Sequence, residues 1–456
     1  MAIAIYERAN QLNDEGKYTE ALELYDQLLA QNPEHPAILS TMGTIYLRAE
    51  NTIGLAIMML RRAIETSKEP RADWISNLGV AYKHAGLTDK AMQAFERSIA
   101  IQPNGSNLTG MGSLLIENGD PLKAIAVLDK AVEHDPGVAM TRWNLALALL
   151  EAGQWDRAWD EHEWGMKPGG MRRERLVGDR PQWDGKSPGK IVLWGEQGIG
   201  DEIMFASMIP DVMKTNEVIL DCHPRLKTFF ERSFPGVKCY GTRKDAELPW
   251  VKDEDFQWQC AMGSLGKFYR RSREAFPGTP YLKADPLPRG AKFRVGISWT
   301  GGKKASRVAR RTVPLSWWDS IFANQVNGVE FVSLQYTDCE AEIEQFERET
   351  AYKVLQFHES KSQDYYEAAR LTASCDLVIT VCTSILHVAG ALGVPCWIMV
   401  PTRPDWRCQM SGPMPWYRSV RQYRQPEEGM AGWLAVTQRI GLDLSDLTAQ
   451  KKQRTA

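Results

Sequence analysis

The chain has 456 residues, 43% of them hydrophobic and 25% charged, with a formal net charge of -2. That is room for roughly three domains at ~150 residues each, in the composition of an ordinary globular protein, and the charge argues against a non-specific polyanion binder. No stretch approaches the ~18 continuous apolar residues of a membrane span. The N-terminal MAIAIYERANQ turns polar too early for a signal peptide, so a cytoplasmic location is expected. The eight cysteines stand at 222, 239, 260, 339, 375, 382, 396 and 408, and none forms a C-x-x-C. Neither a zinc ribbon nor a disulfide framework follows, and thiols buried in apolar strand runs are expected.

The chain begins with a repeat. Gly16, Ala21, Tyr25 and Pro33 set the first copy, and Gly43, Tyr46, Ala56, Leu60 and Ala63 the second, with a slipped spacing. Leu78, Gly79, Tyr82, Gly86, Ala91, Phe95 and Pro103 set the third. Gly112, Gly119, Ala124, Leu128, Ala131 and Pro136 set the fourth, and Leu145, Gly153, Trp155 and Ala158 begin a fifth. A period of ~34 residues, small residues where two helices cross, and Pro after the second helix are the marks of the tetratricopeptide unit. Residues 1–167 therefore read as a solenoid of helical hairpins. Such a stack offers a concave surface to a protein or peptide, or serves as a spacer or dimerisation face. A homo-oligomer is left open.

Residues 168–189 are rich in Gly, Pro and Arg and read as a linker or an arm laid over the next domain. The period then changes. Short apolar runs at 191–194, 217–221, 237–240 and 258–261 suggest buried strands separated by helix-like segments. A Pro-rich connection at 286–290 precedes a second alternation, with strands at 293–299, 330–334, 353–356, 376–381 and, last, 395–400. Strands alternating with helices imply parallel sheets. The expected fold is thus α + α/β. A helical solenoid precedes two Rossmann-like domains, residues 190–288 and 289–456, which face each other across a cleft.

Four segments carry chemistry. In WGEQGIGDEIMF (194–205) a strand enters a Gly-rich turn and then a helix, and Gly195, Gly198 and Gly200 let the backbone approach a ligand. The pattern is not G-x-G-x-x-G, so nicotinamide binding is not indicated. Asp201 and Glu202 sit at the helix start, either as caps that compensate the dipole or with one of them catalytic. In TSILHVAGALG (383–393), Thr383 and Ser384 at a helix N-terminus make a diphosphate cradle, with His387 on the face of Thr383. Plain capping with a core histidine is the alternative. The loop after the 293–299 strand carries Lys303, Lys304, Arg307, Arg310 and Arg311, either neutralising a leaving diphosphate or solvated. Around Asp405, Trp406 and Arg407, and at Trp416 and Tyr417, aromatic residues either stack on a base or sugar or pack between domains. The acidic run 253–255 is read as a solvated loop.

Taken in order, WDG at 183, GEQGIGD, GISW, SLQ, DLVITV, HVAGALG, PDWR and WY resemble one group of proteins. These are bacterial and phage tetratricopeptide proteins whose C-terminal part is similar to the ADP-heptose:lipopolysaccharide heptosyltransferases. The resemblance covers essentially the whole chain. The order of parts is also similar to that of the O-linked N-acetylglucosaminyltransferases. It implies a metal-independent, inverting GT-B glycosyltransferase that needs no cofactor and uses a nucleotide-sugar as donor substrate. Asp201 is then the general base, with Glu202 beside it. The donor side is Gly198, Gly200, Trp299, Gln335, Thr383, Ser384, His387 and Asp405, with Arg311 on the phosphates and Lys303 and Lys304 as rivals. The family's D-T-x-x-x-H reads 382–387 here. Thr383 and His387 are kept, and Cys382 stands in the acid's place. The acceptor is expected to be a hydroxyl of a protein recruited by the repeats. A non-catalytic nucleotide-binding scaffold, or transfer to nucleic acid or a lipid glycan, are the alternatives.

Overall fold

The computed structural model describes residues 2–49, 51–173, 175, 177–243, 245, 247–301 and 311–455. Two compact units divide the chain, residues 1–148 and 149–456. The first is helical: α1 (Ala2–Asp14), α2 (Tyr18–Gln31), α3 (Pro36–Tyr46), α4 (Ile53–Thr66), α5 (Ala72–His84), α6 (Thr88–Ile101), α7 (Gly105–Glu117) and α8 (Pro121–His134). Helix α9 (Ala139–Glu151) runs across the boundary.

Consecutive helices pair as hairpins, and one contact recurs in the three that follow α1 and α2. A Cβ added to Gly43 would stand 2.6 Å from Leu60 Cγ, one on Gly79 3.0 Å from Phe95 Cδ1, and one on Gly112 2.5 Å from Leu128 Cγ. The missing side chain is what lets the paired backbones close on a large buried residue. Gly16, Gly86 and Gly119 turn the chain between helices at φ +77°, +73° and +74°, a left-handed conformation that costs Gly little. In the second hairpin Asn51, at φ +60°, takes that place. Asparagine is among the few other residues that adopt it readily.

The second unit opens with α10 (Trp155–His162), whose Trp159 indole donates to the Arg270 carbonyl at 2.7 Å. Residues 177–183 form an arm on a sheet edge: Trp183 N–H donates to the Gln259 carbonyl and Gln259 N–H to that of Pro181, at 2.9 and 3.1 Å. One sheet holds β1 (Gly189–Trp194), β2 (Asn216–Asp221), β3 (Lys238–Tyr240) and β4 (Trp258–Ala261) in the order β3-β2-β1-β4, all parallel. The other is also parallel and contains β5 (Phe293–Ser298), β6 (Val329–Ser333), β7 (Val354–Leu355), β8 (Leu377–Val381), β9 (Cys396–Val400) and β10 (Val420–Arg424). Its order is β10-β9-β8-β5-β6-β7. Every residue of β8 and β9 is buried, as in strands covered on both faces.

The sequence places the last strand at 395–400, and β10 corrects that. Its residues VRQYR carry no apolar run, because β10 is an edge strand that buries Val420 and Tyr423 while Arg421 faces solvent. The strand order reverses at β1 in the first sheet and between β5 and β8 in the second. Crevices for ligands open at the carboxyl ends of strands at such points.

Gly112→Val is expected to destabilise the helical unit by about 1–3 kcal/mol, because the new side chain must displace Leu128. Urea unfolding followed by the helical circular dichroism band measures it.

Candidate functional site

The carboxyl end of β1 continues through a Gly-rich turn into α11 (Ile199–Phe205), and the end of β8 continues through Cys382 and Thr383 into the helix Ser384–Leu392. The two helices meet. A Cβ on Gly200 would stand 3.0 Å from His387 Cδ2 and 3.6 Å from the Cα of Ser384. A cleft of about 660 Å³ opens there, and four arginines (225, 243, 311 and 407) and two aspartates (201 and 405) contribute to its lining.

The aspartates and two of the arginines alternate. Asp201 accepts the Gly198 N–H at 3.0 Å and pairs with Arg407. Arg407 also pairs with Asp405, which Arg311 reaches at 3.1 Å. Burial pushes Asp405 upward, but Arg407 and Arg311 outweigh it and hold its carboxyl well below the usual range. His387 shares a 3.0 Å hydrogen bond with the Tyr417 hydroxyl. Burial first, and then the charge of Arg407, lower its pKa to about 4, so the imidazole is neutral near pH 7. Thr383 accepts the Ile385 N–H at 3.3 Å as the helix cap, and the Ser384 hydroxyl bonds that of Tyr365 at 2.8 Å. The other N–H groups of that first turn have no acceptor within their own helix.

The structure thus brings together Gly198, Gly200, Asp201, Arg311, Thr383, Ser384, His387 and Asp405. Three other residues expected to have a catalytic or donor-binding role lie outside the cleft lining. Glu202 is fully buried, accepts the His223 N–H at 2.8 Å and pairs with Arg243; burial raises it to about 7 against that pairing. Trp299 is in the core and donates to Glu342 at 2.9 Å. Gln335 is buried and bonds Ser298, Thr300 and Thr337. Lys304, with Lys303, Arg307 and Arg310, lies outside the described residues. The acidic run 253–255 lies away from the cleft, with Glu254 paired to Lys190 and Lys238.

Several cleft residues carry no motif. Arg225 spans the two sheets: from the segment after β2 it donates to the carbonyls of Ser362 and Gln363 at 2.8 and 3.0 Å and lies over the Tyr365 ring. Arg243 follows β3 and holds Glu202 and the Gln197 carbonyl. Arg407, within PDWR, lies over the Trp406 ring and bridges two carboxylates. Trp416 and Tyr417 are buried, Trp416 against Phe205 and Phe276, so they pack rather than face a ligand.

The loop bearing Asp405 and Arg407 is anchored from below. Gln409 donates to the Leu150 carbonyl at 2.7 Å, and Trp406 meets Trp159 edge to face. Beside it Glu151 is buried, with Oε1 lacking a hydrogen-bond partner among the described residues.

Comparison with known proteins bears on both units. Two tetratricopeptide repeat families match the chain, one at residues 12–52 and 115–159, the other at residues 75–104. The N-terminal region therefore carries tetratricopeptide repeats. Over 95% of its length the chain is 26% identical to Protein FlbA of Caulobacter vibrioides, covering 82% of that protein. That likeness extends through the parallel-sheet region. A 25% identical match to BBSome complex member BBS4 of Bos taurus covers 34% of this chain and 30% of that one. Among solved structures, MamA is 21% identical with a TM-score of 0.31, covering 34% of this chain and 91% of its own. YrrB, described as a TPR protein with an unusual peptide-binding site, is 20% identical with a TM-score of 0.31, over 38% and 89%.

Burial, and secondarily the Asp405 charge, raise Glu151 from 4.5 to about 8. A carboxyl raised in the folded state favours folding when protonated, so its contribution is lost as pH rises from about 4.5 towards 8. Glu151→Gln is therefore expected to match the parent protein in stability below that window and to exceed it above. Denaturant midpoints across the pH range check this.

Proposed function

We propose that the protein is a metal-independent, inverting glycosyltransferase of GT-B type, similar to the heptosyltransferases. It moves a sugar from a nucleotide-sugar to a hydroxyl of a protein acceptor held by the repeats. The observation that carries the reading is the meeting of Asp201 and the capped N-terminus of the Ser384–Leu392 helix in one arginine-lined cleft. Four arginines against two aspartates, with Glu202 paired behind Arg243, leave the site with an excess of positive charge, which suits a diphosphate.

The donor diphosphate lies at Thr383 and Ser384, where unpaired N–H groups and the helix dipole favour an anion. Arg311 and Arg407 exchange Asp405 and Asp201 for phosphate oxygens, which frees the Asp201 carboxylate. Asp201 then takes the proton of the acceptor hydroxyl. The acceptor oxygen attacks the anomeric carbon from the face opposite the leaving group, and the bond to the nucleoside diphosphate breaks. The arginines and the helix N-terminus stabilise the charge that develops on the departing phosphate. His387, neutral at pH 7 and hydrogen-bonded to the Tyr417 hydroxyl, acts as a packing group against Gly200.

The ion pair of Asp201 with Arg407 favours a second reading, a scaffold that binds a nucleotide without turning it over, since a paired carboxylate is a poor base. Thermal shift with UDP-, ADP-, GDP- and dTDP-sugars separates the outcomes. Saturating donor at 100 Kd should stabilise by about 2.7 kcal/mol. Asp201→Asn should keep that shift while nucleotide release in the presence of acceptor falls by about 10²–10⁴-fold. Near-full turnover in the folded variant would remove Asp201 from the reaction, and binding with no release in the parent protein would favour the scaffold.

A further inference from the structure

Two thiols open onto the same cleft. Cys382 follows β8 and Cys408 lies in the loop after β9, and their Sγ atoms are 3.9 Å apart. The two backbones are held at that spacing by arginines. Arg424 donates to the carbonyls of Cys408 and Gln409 at 2.8 and 2.9 Å. Arg311 reaches the Cys382 carbonyl at 3.5 Å and Asp405 at 3.1 Å.

Cys382 is half-buried, and the other seven cysteines, Cys408 among them, are buried. Burial pushes Cys239, Cys260 and Cys375 up to about 12 and raises Cys222, Cys339 and Cys396 as well. Cys382 shifts the other way: its contact with the Cys408 thiol and, against burial, the charge of Arg311 favour the thiolate, while that same contact and burial raise Cys408, which keeps its proton. The thiolate is the nucleophile in disulfide exchange, so reactivity concentrates at Cys382 and the thiol beside it. Closing the gap to the ~2.0 Å of a disulfide requires side-chain rotation and a small loop movement.

We propose that Cys382 and Cys408 are a redox modification site, forming a disulfide in the cleft by exchange with a low-molecular-weight disulfide. The Cys382 thiolate attacks one sulfur of oxidised glutathione, the glutathione S–S bond breaks, and one glutathione thiolate leaves. Cys408 loses its proton to solvent and attacks the Cys382 sulfur of the mixed disulfide, which releases the second glutathione. The two cysteines give up two electrons and two protons, and oxidised glutathione gains them. A dithiol reductant reverses the exchange. The bond ties the loop carrying Asp405 and Arg407 to the strand end that carries the Thr383 cap. Formation of the bond is independent of the sugar-transfer reading; its effect on the cleft rests on the reading of that cleft as an anion site.

The test is incubation of the full chain with oxidised glutathione, followed by thiol titration after denaturation and peptide mapping. The expected result is loss of two of the eight thiols and a cross-linked peptide joining Cys382 to Cys408. Cys408→Ser should instead stop at glutathione attached to Cys382. Eight free thiols in a protein that stays folded by circular dichroism, or a bond between another pair, would overturn the site. Calorimetric titration with inorganic pyrophosphate before and after oxidation reads the consequence, with a several-fold change in Kd expected. Equal affinity in both forms overturns the effect on the cleft. A cross-link formed without pyrophosphate binding to either form supports the redox site and counts against the anion-site reading.

Discussion

A helix can approach its neighbour only as closely as the side chains between them permit. At the cleft that spacer is missing, because residue 200 is glycine and His387 packs against its Cα. The same contact brings the start of α11 against the start of the Ser384–Leu392 helix, and hence the carboxyl ends of β1 and β8 to one place. Tyr281 reinforces the arrangement. Its hydroxyl donates to the Ile203 carbonyl at 2.6 Å and its N–H to that of Ala391 at 3.0 Å, so one residue of the connection between the sheets holds both helices. A methyl group at position 200 would stand 3.0 Å from the His387 ring, which would have to give way by a few tenths of an ångström.

Charge follows from that proximity. Asp201, Arg407, Asp405 and Arg311 come from three segments far apart in the chain, yet they alternate in sign through shared contacts. Removing charges from water is costly, and pairing repays the cost only where the hydrogen bonds are completed. Here each carboxylate has a second donor, the Gly198 N–H for Asp201 and the Arg407 N–H for Asp405. Such a set has its charges balanced within the protein itself.

The end of the last helical hairpin, from residue 149 onward, belongs physically to the α/β unit. The end of α9 supplies the Leu150 carbonyl to Gln409, and α10 supplies Trp159 to both Arg270 and Trp406. The loop that presents Asp405 and Arg407 is thus braced by residues that a periodicity reading assigns to the repeats. Period alone cannot separate these cases, because a helix that packs on a sheet and one that packs on another hairpin bury the same stripe.

The sequence by itself determined the repeats, the change of period near residue 190, the parallel strands and the two Gly- or hydroxyl-bearing turns. Each of these is a local signal: small residues at ~34-residue intervals, apolar runs of strand length, or a turn that needs a left-handed or uncluttered backbone. It also placed Asp201, Thr383, His387 and Asp405 on segments that meet. Only the tertiary structure decided which neighbouring residues face the cleft. Asp201 and Glu202 are adjacent, yet one lines the cleft and the other is buried under Arg243, because consecutive positions on a helix point ~100° apart. Arg225, Arg243 and the Cys382–Cys408 pair had no sequence signature, since their proximity to the site comes from chain segments that the fold, and no spacing, brings together.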